Sequence, residues 1–133
     1  MKPIDPNLLE LFNVALEARN RSYSPYSHFQ VGAALRIATG QIVGGCNVEN
    51  ASYGGTICAE RNAVLSAISQ RGSREFTELL VLTDSNPPAV PCAFCLGVLG
   101  EFCPPDFSIH LANLQGVQKS YRLSELLPHP FKF

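Results

Sequence analysis

The sequence predicts an α/β fold in which helices pack against a mixed β-sheet. Short apolar runs of strand length lie before and between segments with helical spacing, and this order is typical of a layered α/β domain. The 133 residues fit one domain, residues 1–133, and 46% of them are apolar, which is enough for an ordinary core. We therefore expect a single three-layer domain, a mixed β-sheet flanked by helices.

Local signals set the boundaries of the predicted elements. Asp5 is typical of an N-cap and Pro6 of a first helical position, so a helix is predicted to begin there. Thr39-Gly40 separates two strand-like runs and predicts a hairpin. The apolar run at 79–82 is typical of a strand buried on both faces. The predicted elements are a helix from Pro6 to about Ala18, strands at 31–37 and 41–46, a helix at 58–69, a strand at 78–83, a helix at 92–102, edge strands at 107–111 and 118–122, and a last helical turn at 123–127.

Composition and charge exclude several classes of function. Charged residues make up only 16% of the chain, and its net charge is −1. A nucleic-acid surface normally needs a basic stripe or patch, which this chain lacks. The first residues lack the apolar stretch of a signal peptide, and no apolar run is long enough to span a bilayer. We therefore expect a cytoplasmic protein with neither nucleic-acid nor membrane partners.

The five cysteines predict a metal site rather than disulfides. Their number is odd, and the cytosol keeps thiols reduced. Cys58, Cys92 and Cys95 are the candidate ligands. Cys46 and Cys103 are expected to be buried free thiols.

The segments Cys58-Ala59-Glu60 and Pro91-Cys92-x-x-Cys95 together predict a catalytic zinc site. Three thiolates bind one Zn²⁺ and leave its fourth tetrahedral position to water, which distinguishes a catalytic zinc from a structural one. Three cysteines, a glutamate that is not a ligand and a Pro-Cys-x-x-Cys segment are a signature of zinc nucleobase deaminases. Glu60 reaches that water only if Cys58 has the irregular backbone of a helix cap. Three thiolates and Zn²⁺ have a net charge of −1, which the adjacent Arg61 is the candidate to balance; a solvated helix residue is the alternative.

Two other interpretations of these cysteines remain open at this stage. A closed structural zinc site would take Cys103 or His110 as its fourth ligand, although such sites usually pair two Cys-x-x-Cys units. A thioredoxin-like redox role for Cys92 and Cys95 would leave Cys58 and Glu60 unexplained.

The chain resembles the zinc-dependent cytidine deaminases, specifically the small type that forms homotetramers. The matching stretches, at 23–34, 45–51, 57–63 and 91–95, follow the family order, and the tail at 125–128 also resembles the family's end. The resemblance implies a cytidine deaminase-like fold with zinc at two helix N-termini. It also implies zinc on the three cysteines and a proton-shuttle role for Glu60.

The resemblance also implies roles for residues that surround the metal. It assigns Asn47 and Glu49 to the ribose hydroxyls, Phe29 to stacking on the base, the Ala59 backbone N–H to the pyrimidine carbonyl, and Tyr53 and Phe131 to the sites of neighbouring subunits. Residues two apart on an extended segment face the same way, which fits the paired role of Asn47 and Glu49. Without the family, Phe29 would be interpreted as a core residue.

Two segments depart from the family pattern. The family usually reads Pro-Cys-Gly-Ala-Cys-Arg-Gln where this chain reads Pro-Cys-Ala-Phe-Cys-Leu-Gly at 91–97. Phe94 therefore places a bulky ring between two predicted ligands. The loop at 53–56 lacks the proline that usually follows the tyrosine. We expect zinc ligation and Glu60 to survive these changes, and pocket shape, charge balance and subunit packing to be affected.

The predicted activity is hydrolytic deamination of cytidine or 2′-deoxycytidine, a reaction of pyrimidine salvage, with zinc and no organic cofactor. Two alternatives are deamination of a modified cytosine nucleoside, N4-substituted or blasticidin-like, and a non-catalytic zinc-stabilised binding module.

The short apolar tail at 128–133 has a reason to be apolar only if it packs against another surface. A homotetramer is therefore expected, with a dimer as the alternative.

Overall fold

The computed structural model describes residues 3–133 and shows a five-stranded mixed sheet between two layers of helices, which confirms the predicted fold class. The strand order is β2-β1-β3-β4-β5. The elements are α1 (Pro6–Arg19), β1 (Val31–Ile37), β2 (Ile42–Cys46), the 3₁₀ turn η1 (Tyr53–Gly55), α2 (Ala59–Arg71), β3 (Phe76–Thr83), α3 (Ala93–Phe102), β4 (Ser108–Asn113), β5 (Gly116–Arg122) and α4 (Leu123–Leu126).

Strand β3 is the central strand and is buried on both faces, as its apolar run predicts. Successive strand residues face opposite sides, so Leu80 and Leu82 pack with α1 while Leu79 and Val81 pack with α2 and α3. β3 is antiparallel to β1 and parallel to β4. The parallel pair needs a crossover connection, and α3 lies within it.

The predicted helix start and hairpin are confirmed. Asp5 is the N-cap of α1, where the Asn7 backbone N–H donates to Asp5 Oδ1 at 2.9 Å. β1 and β2 pair as an antiparallel hairpin. Gly40 turns the chain with a φ of 94°, a left-handed conformation that glycine adopts without steric cost.

The prediction of an edge strand at 107–111 is wrong. The strand found there, β4, lies between β3 and β5, and most of its residues are buried. His110 can lie inside the sheet because both ring nitrogens have partners. Its Nε2 is 2.9 Å from Glu78 Oε1, and its Nδ1 is 2.7 Å from Ser120 Oγ. β5 is at the edge, as predicted.

Two contacts fix the start of α2 against the end of β2. Gly45 lies so close to α2 that a Cβ there would be 2.5 Å from the Ala59 carbonyl oxygen. Asn62 Nδ2 donates to the Cys46 carbonyl oxygen at 2.8 Å. The first turn of α2 is therefore held tightly to the sheet. In the described part of the chain, no helix combines the length and apolar character needed to cross a bilayer.

Candidate metal centre and active site

The three candidate ligands meet where two helices begin beside the carboxyl end of β3. Cys58 is the N-cap of α2, Cys92 is the N-cap of α3, and Cys95 is the third residue of α3. Both caps have extended backbone, with φ and ψ of −71° and 157° at Cys58 and of −71° and 169° at Cys92. Cys58 thus has the irregular cap conformation that a role for Glu60 requires.

The sulfur geometry fits zinc. Cys58 Sγ is 3.8 Å from Cys92 Sγ, which is 3.6 Å from Cys95 Sγ. All three sulfurs lie within 4.8 Å of one another. In a tetrahedral site with zinc–sulfur bonds of about 2.3 Å, sulfurs are about 3.8 Å apart. The donor set and its spacing therefore suit one zinc ion with one position left open.

The surroundings of Cys58 favour its thiolate. A hydrogen bond from Cys95 and another from Arg61 lower the pKa of the Cys58 thiol to about 5. Arg61 Nη2 donates to Cys58 Sγ at 3.3 Å. The hydrogen bond to Cys58, together with burial, raises the pKa of Cys95. Arg61 is therefore in direct contact with the cluster.

Glu60 is the second residue of α2 and is only 5% exposed. Burial, with a smaller effect of the nearby Cys58 charge, raises the pKa of its carboxyl group to about 7. A carboxyl group with a pKa near neutrality can both accept and release a proton, which is what acid–base catalysis requires.

Glu60 and two of the cysteines border an open cavity of about 260 Å³. Phe29 and Val90 supply apolar surface at its wall. Ala59 also lines it, and as the first residue of α2 it has a backbone N–H without a partner inside the helix. The residues that line the cavity include no lysine or arginine.

Asn47 lies in this cavity wall, but most of its hydrogen-bonding capacity is used within the protein. It is only 8% exposed. Its Nδ2 donates to the Phe29 carbonyl oxygen at 2.7 Å, and its Oδ1 accepts from the Val31 backbone N–H at 2.9 Å and from the Ser22 hydroxyl. One Nδ2 hydrogen remains for a ligand.

Glu49 lies two residues further along the same extended segment and also lines the cavity. Its Oε1 accepts the backbone N–H groups of Tyr26 at 2.9 Å and Ser27 at 3.1 Å, and its Oε2 accepts the Ser27 hydroxyl. These bonds, with the Ser27 hydroxyl as the largest contribution, lower the pKa of Glu49. The carboxylate is therefore oriented and ionised.

Tyr53 and Phe131 do not line this cavity within their own chain. Tyr53 is 78% exposed and makes an edge-to-face contact with Tyr26 at 6.3 Å, beside the Glu49 end of the site. Phe131 is 90% exposed. The tail that contains it packs near Gly100, at the far end of α3 from the cysteines.

The closed-site interpretation does not fit the structure. Cys103 is the C-cap of α3, and along the helix axis it lies about 12 Å from Cys95 and about 17 Å from Cys92. His110 is occupied by Glu78 and Ser120. Within residues 3–133, the cluster of potential metal ligands contains Cys58, Cys92 and Cys95 and no fourth residue. Cys103 is a buried free thiol, as predicted, whereas Cys46 is partly exposed.

The sequence did not reveal several contacts that shape the site. Ser27 orients Glu49, and its position in the stretch at 23–34, two residues before Phe29, was the available signal. Thr83 Oγ1 accepts the Ala89 backbone N–H at 3.2 Å and so fixes the loop that leads to Cys92. Phe94 lies under the guanidinium group of Arg61, which no local pattern indicated.

Comparison with known proteins identifies the class of this fold and site. A family model described as the cytidine and deoxycytidylate deaminase zinc-binding region matches residues 6–111, which include all three cysteines and Glu60. The chain belongs to this zinc-binding deaminase family.

Individual relatives agree with this assignment. A cytidine deaminase of Halalkalibacterium halodurans is 46% identical over 121 residues, or 91% of each chain. The crystal structure of cytidine deaminase from Burkholderia pseudomallei has a TM-score of 0.86 at 42% identity, covering 92% of this chain and 97% of that one. A blasticidin-S deaminase of Bacillus cereus is 30% identical, covering 90% of this chain and 89% of that one.

Proposed function

We propose that this protein catalyses the hydrolytic deamination of cytidine or 2′-deoxycytidine to the corresponding uridine and ammonia. The observation that carries the proposal is a buried carboxyl group with a pKa of about 7, Glu60, beside three sulfurs spaced for zinc on the wall of a cavity. A zinc-stabilised module without turnover has no use for such a group. Relatives that cover most of the chain are named cytidine deaminases.

Cys58, Cys92 and Cys95 would hold the zinc. When bound, zinc supplies Lewis acidity that makes a coordinated water an effective nucleophile at neutral pH. The carboxylate of Glu60 accepts the first proton that the attacking water loses and delivers it to N3 of the base. It then accepts the second proton, from the new hydroxyl group on C4, and delivers it to the departing amine, so that C4 becomes a carbonyl and ammonia leaves. Its raised pKa supports both halves of this cycle.

The other cavity residues would bind and orient the nucleoside. Phe29 supplies a face for the base, and the Ala59 backbone N–H is free to donate to the pyrimidine carbonyl oxygen. The remaining Asn47 hydrogen and the oriented Glu49 carboxylate suit a ribose hydroxyl, as donor and acceptor. The absence of basic residues from the cavity lining, with a net charge of −1, favours a nucleoside over a nucleic acid.

We further propose a homotetramer, or as the alternative a dimer, in which Tyr53 and Phe131 approach a neighbour's site. The exposure of both rings supports this. Residues 1–133 would form a single domain, because the helices of the described chain pack on one sheet. A cytoplasmic location is supported by the five free cysteines, which a reducing compartment preserves as thiols.

The test is turnover by purified, zinc-loaded protein. Loss of cytidine absorbance and release of ammonia are measured with cytidine, 2′-deoxycytidine, free cytosine and blasticidin S. We expect turnover of cytidine or 2′-deoxycytidine that stops on chelation and returns with zinc. No ammonia from either nucleoside would contradict the proposal.

A second candidate is deamination of a modified cytosine nucleoside. The similarity to a blasticidin-S deaminase and the altered segment at 91–97 favour it. Faster turnover of blasticidin S than of cytidine in the same assay would select this candidate.

A further inference from the structure

Phe94 occupies an unusual position for an aromatic ring. It lies between the ligands Cys92 and Cys95 in the first turn of α3, and it is 76% exposed. A ring this exposed contributes little to a hydrophobic core. Its contact with a neighbouring cation is therefore the interaction that indicates its role.

That cation is Arg61, which belongs to the first turn of the other ligand-bearing helix, α2. The Arg61 Cζ atom is 5.7 Å from the centre of the Phe94 ring, within the range of a cation–π interaction. Arg61 Nη2 also donates to Cys58 Sγ at 3.3 Å. Among the described residues, Arg61 Nε is buried and has no hydrogen-bond partner. The guanidinium group therefore contacts both the cysteine cluster and the Phe94 ring.

We propose that Phe94 is a positioning residue for the metal centre, whose ring holds the Arg61 guanidinium group against the Cys58 sulfur. The contact crosses from α3 to α2 and so links the two helix starts that carry the ligands. This inference rests on the zinc site of the proposed function and extends it to a residue that binds neither metal nor substrate.

The expected effect follows from charge. Zinc with three thiolates has a net charge of −1, and a cation fixed 3.3 Å from one sulfur offsets that charge. A cation–π contact at an exposed site is weak, so loss of the ring is expected to weaken zinc retention by about two- to fivefold. The change is measurable and leaves the ligands intact.

The experiment measures zinc affinity by competition with a chromogenic chelator, without using enzyme activity. Phe94→Leu removes the aromatic face and keeps apolar bulk, whereas Phe94→Tyr keeps the face. Phe133→Leu is the control, since it makes the same change at an exposed ring outside the cluster. Phe94→Leu is also made in an Arg61→Gln background. Circular dichroism and light scattering record the fold and the mass of each protein.

We expect the affinity to fall about two- to fivefold in Phe94→Leu and to be unchanged in Phe94→Tyr and Phe133→Leu. In the Arg61→Gln background, Phe94→Leu should cause no further loss. The inference would be overturned if Phe94→Leu bound zinc with wild-type affinity, or if Phe94→Tyr or Phe133→Leu lost as much affinity as Phe94→Leu. It would also be overturned if Phe94→Leu lowered the affinity as much in the Arg61→Gln background as in the wild type. A change of mass alone would overturn it too, and would assign the ring to a contact between copies. Each of these results leaves the proposed function intact. A wild-type protein unable to hold zinc would contradict both the inference and the proposed function.

Discussion

Glu60 is the residue whose removal should affect the reaction alone. Glu60→Gln keeps the shape of the side chain but cannot accept a proton. General acid–base groups typically contribute about 10²–10⁴-fold, so kcat should fall by that factor while the zinc content stays at one per chain. Steady-state kinetics and metal analysis on the same preparation check both. Substantial residual turnover, or loss of zinc, would mean that Glu60 has another role.

Glu49 and Asn47 should behave differently although both are proposed to bind the ribose. Glu49→Gln keeps a side chain of similar size on a partly exposed segment. It should raise KM for cytidine and leave the melting temperature and the zinc content unchanged. Free cytosine has no hydroxyls, so its KM should not change. An equal effect on cytosine and cytidine would argue against sugar binding.

Asn47→Ala should in addition destabilise the fold. It leaves the Val31 backbone N–H and the Phe29 carbonyl oxygen without their partner. Unsatisfied buried groups cost about 1–3 kcal/mol each, so the free energy of unfolding should drop measurably in a denaturant titration. Glu49→Gln is the matched control, and an equal loss of stability in both variants would contradict the different roles of the two side chains.

At the residue scale, the sequence predicted which side chains form the metal site better than it predicted how the other side chains of the cavity are oriented. The spacing of Cys58, Cys92 and Cys95 was sufficient to predict the ligand cluster, because each falls at a helix start. It could not show that the Asn47 side chain forms hydrogen bonds with the backbone of Phe29 and Val31. That arrangement depends on the pairing of β1 with β2, which brings together residues 16 and 18 positions apart.

At the element scale, starts and turns were predictable because their signals are local. Asp5, Pro6 and Gly40 act within a few residues of where they occur. The place of β4 within the sheet was not predictable in this way, since it depends on pairing with β3. A histidine in a strand suggests an exposed edge. Here Glu78 and Ser120, from the two neighbouring strands, satisfy His110 and allow it to be buried.

A pair of glycine substitutions tests how closely α2 must approach the sheet. A Cβ at Gly45 would be 2.5 Å from both the Ala59 carbonyl oxygen and the Ala63 nitrogen, so Gly45→Ala must displace the start of α2. Overpacking of this kind costs about 1–3 kcal/mol, and Cys58 should move with the helix and weaken zinc binding.

Gly97→Ala is the matched control in α3. A Cβ at Gly97 would meet no atom within 4 Å, so alanine should raise stability by about 0.5–1 kcal/mol through its helix propensity. Thermal unfolding and zinc competition compare the two variants. Equal stability in both would contradict the close contact at Gly45.

At the scale of the whole molecule, the tail is the feature that tests assembly. Truncation after Pro128 removes Phe131 and also Lys132, whose Nζ donates to the Gly100 carbonyl oxygen at 3.2 Å. If the tail completes a neighbour's site, KM should rise or activity disappear while zinc remains bound. Phe131→Ala separates the ring from the Lys132 contact and should show the same change in KM. Light scattering gives the mass, and a fully active monomer would contradict the shared site.

The helix caps at Cys58 and Cys92 couple the stability of the protein to its supply of zinc. Neither cap side chain makes the capping hydrogen bond that serine or aspartate would make, and zinc bound to both sulfurs would instead tie the two helix starts together. A ligand that binds only the folded state stabilises it by mass action, and the melting temperature should therefore follow the free zinc concentration. A low concentration of free zinc would therefore lower the free energy of unfolding of this protein. It would open the floor of the substrate cavity while the sheet, held by its two apolar layers, persists.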